Sequence, residues 1–524
     1  MEKTLLINED YLGLPICVGK TEQLIEIFEV QTEGLTKVME WMVPVCEEEG
    51  ADYAYDYKAS IPVKAWKGKK LVLKGEVSET FWKEVENTSF FRISKNTEEN
   101  RPSIHFTAST GWINDPNGLV YADGAYHLYY QYNPCNTSWQ NMSWGHAVSS
   151  DLLHWEEKEM EIVPDEHGMM FSGCGLKNEQ GLLDLPKEAL LFFYTAAGDN
   201  KPWGKERHFT QRIAYSLEQG QNLTKLSEPY LEEISEENRD PKIFWHEESK
   251  AYIMVLWLEG NDFAIFRSVD LKDWQMSDRL TLKDAWECPD LMKLYDEEGN
   301  AHWLFWSADG FYFWGDFDGY TFKTDGKKHL AYMNKLPYAA QTYSGVEGRT
   351  ISIPWLRTKN RGTLYTGAMG LPRELGVKVI NGEKYLVQKP VRELMMQRQR
   401  IAQKEQLDLR HNAFNYNKGI LTNKKNQAVQ IEMQLEEKYN HIIKWKLNGT
   451  EVSYNPQNGI FSVNDETYDI GKDRKYFSFL IDSNIFEVNV DHDIMTGIFD
   501  LEDHCMEIWG DMKGIKQFVV YEIL

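Results

Sequence analysis

The stretch WGHAVSSDLLHW, residues 144–155, returns as FAIFRSVDLKDW, residues 263–274. Each copy passes from a strand-like run of aromatic and small residues into S-x-D-L-x-x-W. A third unit, GDFDGYTF at Gly315–Phe322, occupies a comparable place after another aromatic pair. Outward from these, short runs rich in Val, Ile, Tyr, Phe and Trp recur between Gly, Asn and Asp. They include Tyr126–Tyr132, Leu190–Tyr194, Tyr252–Trp257, Trp303–Trp306 and Thr350–Trp355. Long stretches of 3.6-residue periodicity are almost absent, so the chain reads as all-β. Units of four short strands at roughly 50–65-residue spacing predict propeller blades, with chance recurrence in a Trp-rich β protein as the competing explanation.

The flanks read differently. Before about residue 97 there are strands such as Leu24–Val30 and Leu71–Val77. Beyond about residue 400, Val429, Ile431, Met433 and Leu435 alternate, as do Phe486, Val488 and Val490, which is the pattern of half-buried sandwich strands. The division expected is residues 1–97, 98–395 and 396–524, with the stretch Lys389–Gln406 as the passage into the last unit.

Length and composition narrow the function. The 524 residues are 42% hydrophobic and 26% charged, values of a soluble globular protein of two to four domains. The 57 basic against 81 acidic residues leave a net charge of −24, which argues against a nucleic-acid or anionic-membrane partner. No apolar run approaches the roughly 20 residues of a membrane span. Aromatics form 13% of the chain, a richness that suits a carbohydrate-facing site. The six cysteines, at 17, 46, 135, 174, 288 and 505, form no CxxC pair, and no HExxH is present, so neither a metal nor another cofactor is expected. They are too sparse for a disulfide scaffold. The start lacks a basic segment leading into a long apolar one, and the expectation is a reduced, cytoplasmic protein.

Three carboxylates stand in unusual settings. Asp115 lies in Trp112–Gly118 (WINDPNG), Asp240 follows Arg239 and precedes Pro241, and Glu287 lies in Trp286–Asp290 (WECPD). In each a turn signal is followed by a strand-like segment, so the carboxylate is expected to project from a turn. An isolated Asp there is ordinarily a cap. In a propeller, however, the first strand of each blade lines the central channel, and three carboxylates at such starts would converge at its mouth. Glycoside cleavage needs an acid for the leaving oxygen and a carboxylate for the oxocarbenium-like centre, and crowded like charges hold one group protonated near neutral pH.

WINDPNG, RDP and ECPD, in that order, resemble the signature motifs of glycoside hydrolase family 32, the group of invertases, levanases, inulinases and sucrose-6-phosphate hydrolases. Tyr126–Pro134 (YHLYYQYNP), Trp144–Ala147 (WGHA), Phe171–Gly173 (FSG), Gly348–Trp355 (GRTISIPW) and Leu371–Leu375 (LPREL) extend the likeness across about residues 100–400. The stretch from Tyr11–Pro15 (YLGLP) to Gly68–Leu71 (GKKL) looks more weakly like an accessory domain of some fructan-degrading members. The resemblance implies a five-bladed propeller joined to a β-sandwich. It also implies a retaining β-fructofuranosidase acting through a covalent fructosyl-enzyme on sucrose or fructan. Asp115 would be the nucleophile, Glu287 the acid/base, and Asp240 with Arg239 the holder of fructose hydroxyls. Trp112, Asn114, Gln131, Trp139, Phe171 and Ser172 match family positions around the same sugar, and Trp355 the aromatic rim.

Two positions depart from the family pattern, Cys174 after FSG and Gln140 before WGHA, and both bear on pocket shape alone. Cys288 beside Glu287 reads as pocket lining, because no His stands near it in sequence. A fructosyltransferase would use the same residues. A catalytically silent sugar-binding propeller would have no need of both Asp115 and Glu287.

Overall fold

The computed structural model describes residues 2–46, 53–91, 101–200, 202–403, 406–407, 414–415, 420–422, 427–447, 449–502, 507–510 and 514–524. Cys505 lies outside the described residues. The chain is nearly all β, and two short α-helices, Glu79–Glu84 and Arg392–Met396, occur among these residues.

The central region is a β-propeller. Five antiparallel sheets follow one another along the chain, beginning with the strands Gly111–Ala122, Met169–Lys177, Arg239–His246, Asp290–Tyr295 and Pro337–Thr342. The fifth is joined to the first: Tyr365 and Thr366 pair in parallel with Gly111 and Trp112, and Ser344 bridges Val120.

The sequence repeat is a turn. Ser149 ends the third strand of the first sheet, and its Oγ accepts from the backbone N–H of Asp151 and Leu152. Asp151 Oδ1 in turn accepts from the N–H of Leu153 and His154. Ser268 and Asp270 repeat each bond in the third sheet. Leu152 and Leu271 are pinned there in the left-handed region, with φ of 65° and 62°, and both are buried. In the fourth sheet Asp318 makes the same pair of bonds, to Tyr320 and Thr321, and a glycine, Gly319, takes the left-handed position with φ 87°. The second sheet carries a variant that the repeat did not reveal. Ser216 Oγ accepts from Glu218 N–H, and Gln219 has φ 50°.

Two smaller sheets precede the propeller, one ordered Glu2–Leu6, Lys70–Lys74, Glu22–Gln31, Gly34–Pro44 and the other Tyr57–Pro62, Tyr11–Ile16, Glu86–Thr88. Their apolar faces share one core with the first propeller sheet, through Leu12, Trp41 and Ile61 on one side and Leu128, Tyr130 and Leu152 on the other. The expectation of a reduced chain departs from the structure here. Cys17 and Cys46, just past the ends of two strands, lie 5.5 Å apart between Cα atoms and are joined as a disulfide.

Among the described residues, two seven-stranded sheets follow the propeller and pack face to face as a β-sandwich around Trp445, Tyr454, Phe461, Phe477 and Phe479. The strand Ile485–Val490 was expected to be half-buried, yet every residue in it is buried. Its outer face is covered by the propeller. Arg373 on the fifth propeller sheet pairs with Glu487 and donates to Asn489 Oδ1 at 2.9 Å. His105, at the entrance to the propeller, sits between Asp482 (2.9 Å) and Glu487 (3.1 Å).

Candidate active site

The backbone at the centre of the propeller is irregular wherever a signature motif enters it. Asp115 does not project from a turn, as its Pro and Gly neighbours had implied. It lies inside the strand Gly111–Ala122, which bulges twice against its neighbour, between Ile113 and Pro116 and between Asn117 and Val120. A bulge tolerates Pro116 because it leaves a position without a ladder bond. Gly118 is required there: it has φ 54°, and a Cβ would meet the Tyr129 ring at 2.7 Å and the Trp144 ring at 2.9 Å. Register shifts also fall between Met170 and Gly173, between Arg239 and Lys242, and between Tyr338 and Gln341. Asp240 (φ 65°), Glu287 (φ 47°) and Cys288 (φ 38°) are held in the left-handed region, which costs about 1–3 kcal/mol per residue and is concentrated at sites where side chains must be aimed.

These bulges aim the side chains into one cavity of about 400 Å³. All three carboxylates line it, as do Asn114, Gln131, Trp139, Phe171, Ser172, Arg239 and Trp355. Trp112 stands behind the wall. Its indole N–H donates to Asn114 Oδ1 at 3.0 Å, and its ring meets that of Trp355 edge-on at 5.8 Å. Phe171 packs edge-on against Trp139 at 6.2 Å.

The carboxylates are tied together by short contacts. Ser172 Oγ donates to Asp115 Oδ2 at 2.7 Å. Cys288 donates its N–H (3.1 Å) and its thiol (3.4 Å) to Asp240 Oδ2, and the same thiol lies 3.6 Å from Asp115 Oδ2. Arg239 donates to Glu287 Oε1, and the Tyr338 hydroxyl donates to Oε2 at 2.7 Å. Asp290, the other acid of the ECPD motif, serves the framework. It is buried, pairs with Lys242 at 3.1 Å and accepts from Thr342.

Burial governs the charge state. It pushes the Asp115 carboxyl up against the opposing Ser172 bond, and the Glu287 charge adds to the effect. Asp240 is pushed up to about 7 by burial and by its two acidic neighbours, against the pull of Arg239. The Cys288 thiol is pushed well above its ordinary value by burial and all three carboxylates, so it stays protonated and donates; it was expected to line the pocket, but it is buried behind the carboxylates and is not part of the cavity wall. Burial and the repulsion between neighbouring carboxylates thus raise both Asp115 and Asp240. Cys174 is buried too, and its sulfur accepts from Ile243 N–H at 3.2 Å.

Sequence reasoning missed Asn200, Phe209, Glu237 and Tyr338, which also line the cavity. Tyr338 stands in the strand Pro337–Thr342 that opens the fifth sheet. Thr195, whose Oγ1 accepts from Asp240 N–H at 3.1 Å, carried no signal at all. Among the described residues no cluster of His, Cys, Asp and Glu is arranged to hold a metal ion.

Residues 105–390 match the family described as Glycosyl hydrolases family 32 N-terminal domain. A levanase of Bacillus subtilis (strain 168) is 34% identical over 331 residues, covering 57% of this chain and 48% of its own. An extracellular exo-inulinase of Aspergillus awamori is 34% identical over 346 residues, 55% of this chain and 64% of its own. An invertase of Debaryomyces hansenii is 37% identical over 297 residues, 51% of this chain and 54% of its own. The chain thus spans about half to two thirds of the length of these curated relatives. The crystal structure of the A. awamori exo-inulinase shares the fold with a TM-score of 0.69 at 23% identity, over 83% of this chain and 99% of that one. A Bifidobacterium adolescentis structure of the same family covers 99% of this chain and 98% of its own, at a TM-score of 0.66 and 19% identity.

Proposed function

Because the chain belongs to glycoside hydrolase family 32, we propose that it is a retaining β-fructofuranosidase, releasing terminal non-reducing β-D-fructofuranosyl units from sucrose, fructo-oligosaccharides or fructans of levan or inulin type. The observation that carries this reading is the convergence of Asp115, Asp240 and Glu287 on one cavity, with Ser172, Arg239 and Tyr338 each bonded to one of them. The names of the relatives, levanase, exo-inulinase and invertase, support the substrate class.

In this mechanism Asp115, steadied by Ser172, attacks the anomeric C2. The C2–O bond to the leaving group breaks, and Glu287 gives that oxygen its proton. Glu287 then takes a proton from water, the water oxygen attacks C2, and the Asp115 carboxylate leaves. Arg239 and Tyr338 hold both oxygens of Glu287 in place, so its reach is fixed before substrate binds. Asp240 accepts hydrogen bonds from hydroxyls of the fructosyl ring as positive charge develops on that ring.

The test is a panel of sucrose, sucrose-6-phosphate, 1-kestose, inulin and levan with free fructose as readout. Product chromatography at high sucrose separates hydrolysis from fructosyl transfer. NMR of the first-formed fructose separates retention from inversion. No fructose from any substrate, or an inverted product, ends the proposal.

A further inference from the structure

The cavity's floor belongs to the propeller, but two segments of its rim are held by the N-terminal sheets. The first is residues 134–142, which bear Trp139, a cavity residue 45% exposed. Its anchor is Asn141, fully buried with φ 52°. The Asn141 amide behaves as an extra strand beside Met42: its oxygen accepts from Met42 N–H at 3.0 Å and its nitrogen donates to Met42 C=O at 2.9 Å. Asn136 donates to Glu22 Oε1 at 2.7 Å, and the Tyr57 hydroxyl donates to the Pro134 carbonyl at 3.0 Å.

The second segment lies between the strands Leu190–Ala197 and Phe209–Ser216 and bears Asn200, another cavity residue. It is met by Glu40, which is 1% exposed. Glu40 Oε1 accepts from Trp203 N–H at 3.2 Å, its other oxygen pairs with Lys37 at 2.6 Å, and the Lys37 ammonium stands 5.6 Å from the Trp203 ring centroid. A carboxylate this deeply buried is costly unless it is paired and hydrogen-bonded, and Lys37 and the Trp203 N–H meet both needs here. A substrate whose fructosyl unit rests on the carboxylates must lead its remaining units out past this rim.

We infer that the N-terminal sheets are a specificity element of the site: through Asn141 and Glu40 they fix the rim segments bearing Trp139 and Asn200, and so set the room for the sugar units beyond the cleaved fructosyl. This rests on the proposed fructosidase activity. Glu40 and Asn141 are positioning residues, acting through Trp139 and Asn200.

The experiment compares the full chain with Glu40→Ala, Glu40→Gln and Asn141→Ala on sucrose and on 1-kestose, with hydrogen exchange followed in both rim segments. Glu40→Ala should raise KM for 1-kestose roughly five- to twentyfold while kcat on either substrate stays within about twofold, because remote positioning is lost and the chemistry is not. Exchange should rise at Trp203 and its neighbours. Glu40→Gln keeps an acceptor for Trp203 and should recover most of the loss. Asn87→Ala is the control, since its bonds to Asn8, Glu9 and Tyr11 stay inside the N-terminal unit, and it should leave the KM ratio unchanged. An active wild type whose KM ratio is the same in Glu40→Ala and Asn141→Ala overturns the inference alone, as does a ratio that Asn87→Ala shifts equally. A wild type inert on both sugars overturns the functional proposal, and the specificity inference with it.

Discussion

Arg239 and Glu287 form an ion pair across the cavity, 48 residues apart in the chain, and the Arg239 guanidinium lies 4.1 Å from the Trp257 ring centroid. A planar cation can stack on an indole while pairing with a carboxylate, whereas a lysine ammonium cannot hold both geometries at once. The pair thus fixes the direction of Glu287, whose backbone is already constrained in the left-handed region.

Arg239→Lys preserves the charge and removes the fork. It should lower kcat/KM on sucrose about 10²-fold, with thermal stability changed by only a few degrees. Turnover within a few-fold of wild type would remove Arg239 from the catalytic arrangement.

Asp115→Asn should abolish turnover on every fructoside, since no other group on the cavity floor is assigned to bond C2. Glu287→Gln should cripple sucrose by about 10²–10⁴-fold but spare a fructoside with an activated leaving group, and azide should speed release of the trapped fructosyl-enzyme. Equal loss on both substrates with no azide effect reverses the assignment of Glu287.

Asp240 makes the folded state hold a proton that the unfolded chain releases. Its carboxyl titrates near 7 when folded, against an ordinary value of 3.8, so stability falls as pH rises through that window. Asp240→Asn should therefore be inactive yet more stable than wild type at pH 7–8, by roughly 2–4 kcal/mol, with the difference vanishing near pH 4. Thermal denaturation across that range is the measurement, and a variant no more stable than wild type at pH 8 contradicts the charge accounting.

The buried cluster between propeller and sandwich has the opposite signature. His105 is raised to about 9 by its bonds to Asp482 and Glu487, against the penalty of burial. Its stabilisation is complete below its ordinary value near 6.5 and fades as pH rises through about 9. Asp482 is held low by His105, and Glu487 by Arg373 and then His105, so their share fades as pH falls below the ordinary carboxylate range. His105→Gln should cost about 3–5 kcal/mol between roughly pH 5 and 6.5. The gap to wild type should narrow above pH 9, as read by denaturant titration, and a gap independent of pH would show that the ring is unprotonated in the fold.

What the residues alone determined is what depends on near neighbours. Ser149 with Asp151, and Ser268 with Asp270, need only the amides two and three residues ahead to build their turns, so the repeat shows in the sequence and marks the first and third sheets. The three carboxylates stand in short motifs whose order and identity survive in the linear text, and so does the alternation of the sandwich strands. Tertiary structure alone decided how those acids meet. The bulges that turn Asp115 and Asp240 into the cavity arise from register against a partner strand. The Cys288 thiol near Asp115 spans 173 residues, His105 with Asp482 spans 377, and Asn141 with Met42 spans 99. A hydrogen bond or ion pair over such separations leaves no periodicity or spacing in the chain. Its energy depends on orientation and burial that exist only once the sheets have closed around it.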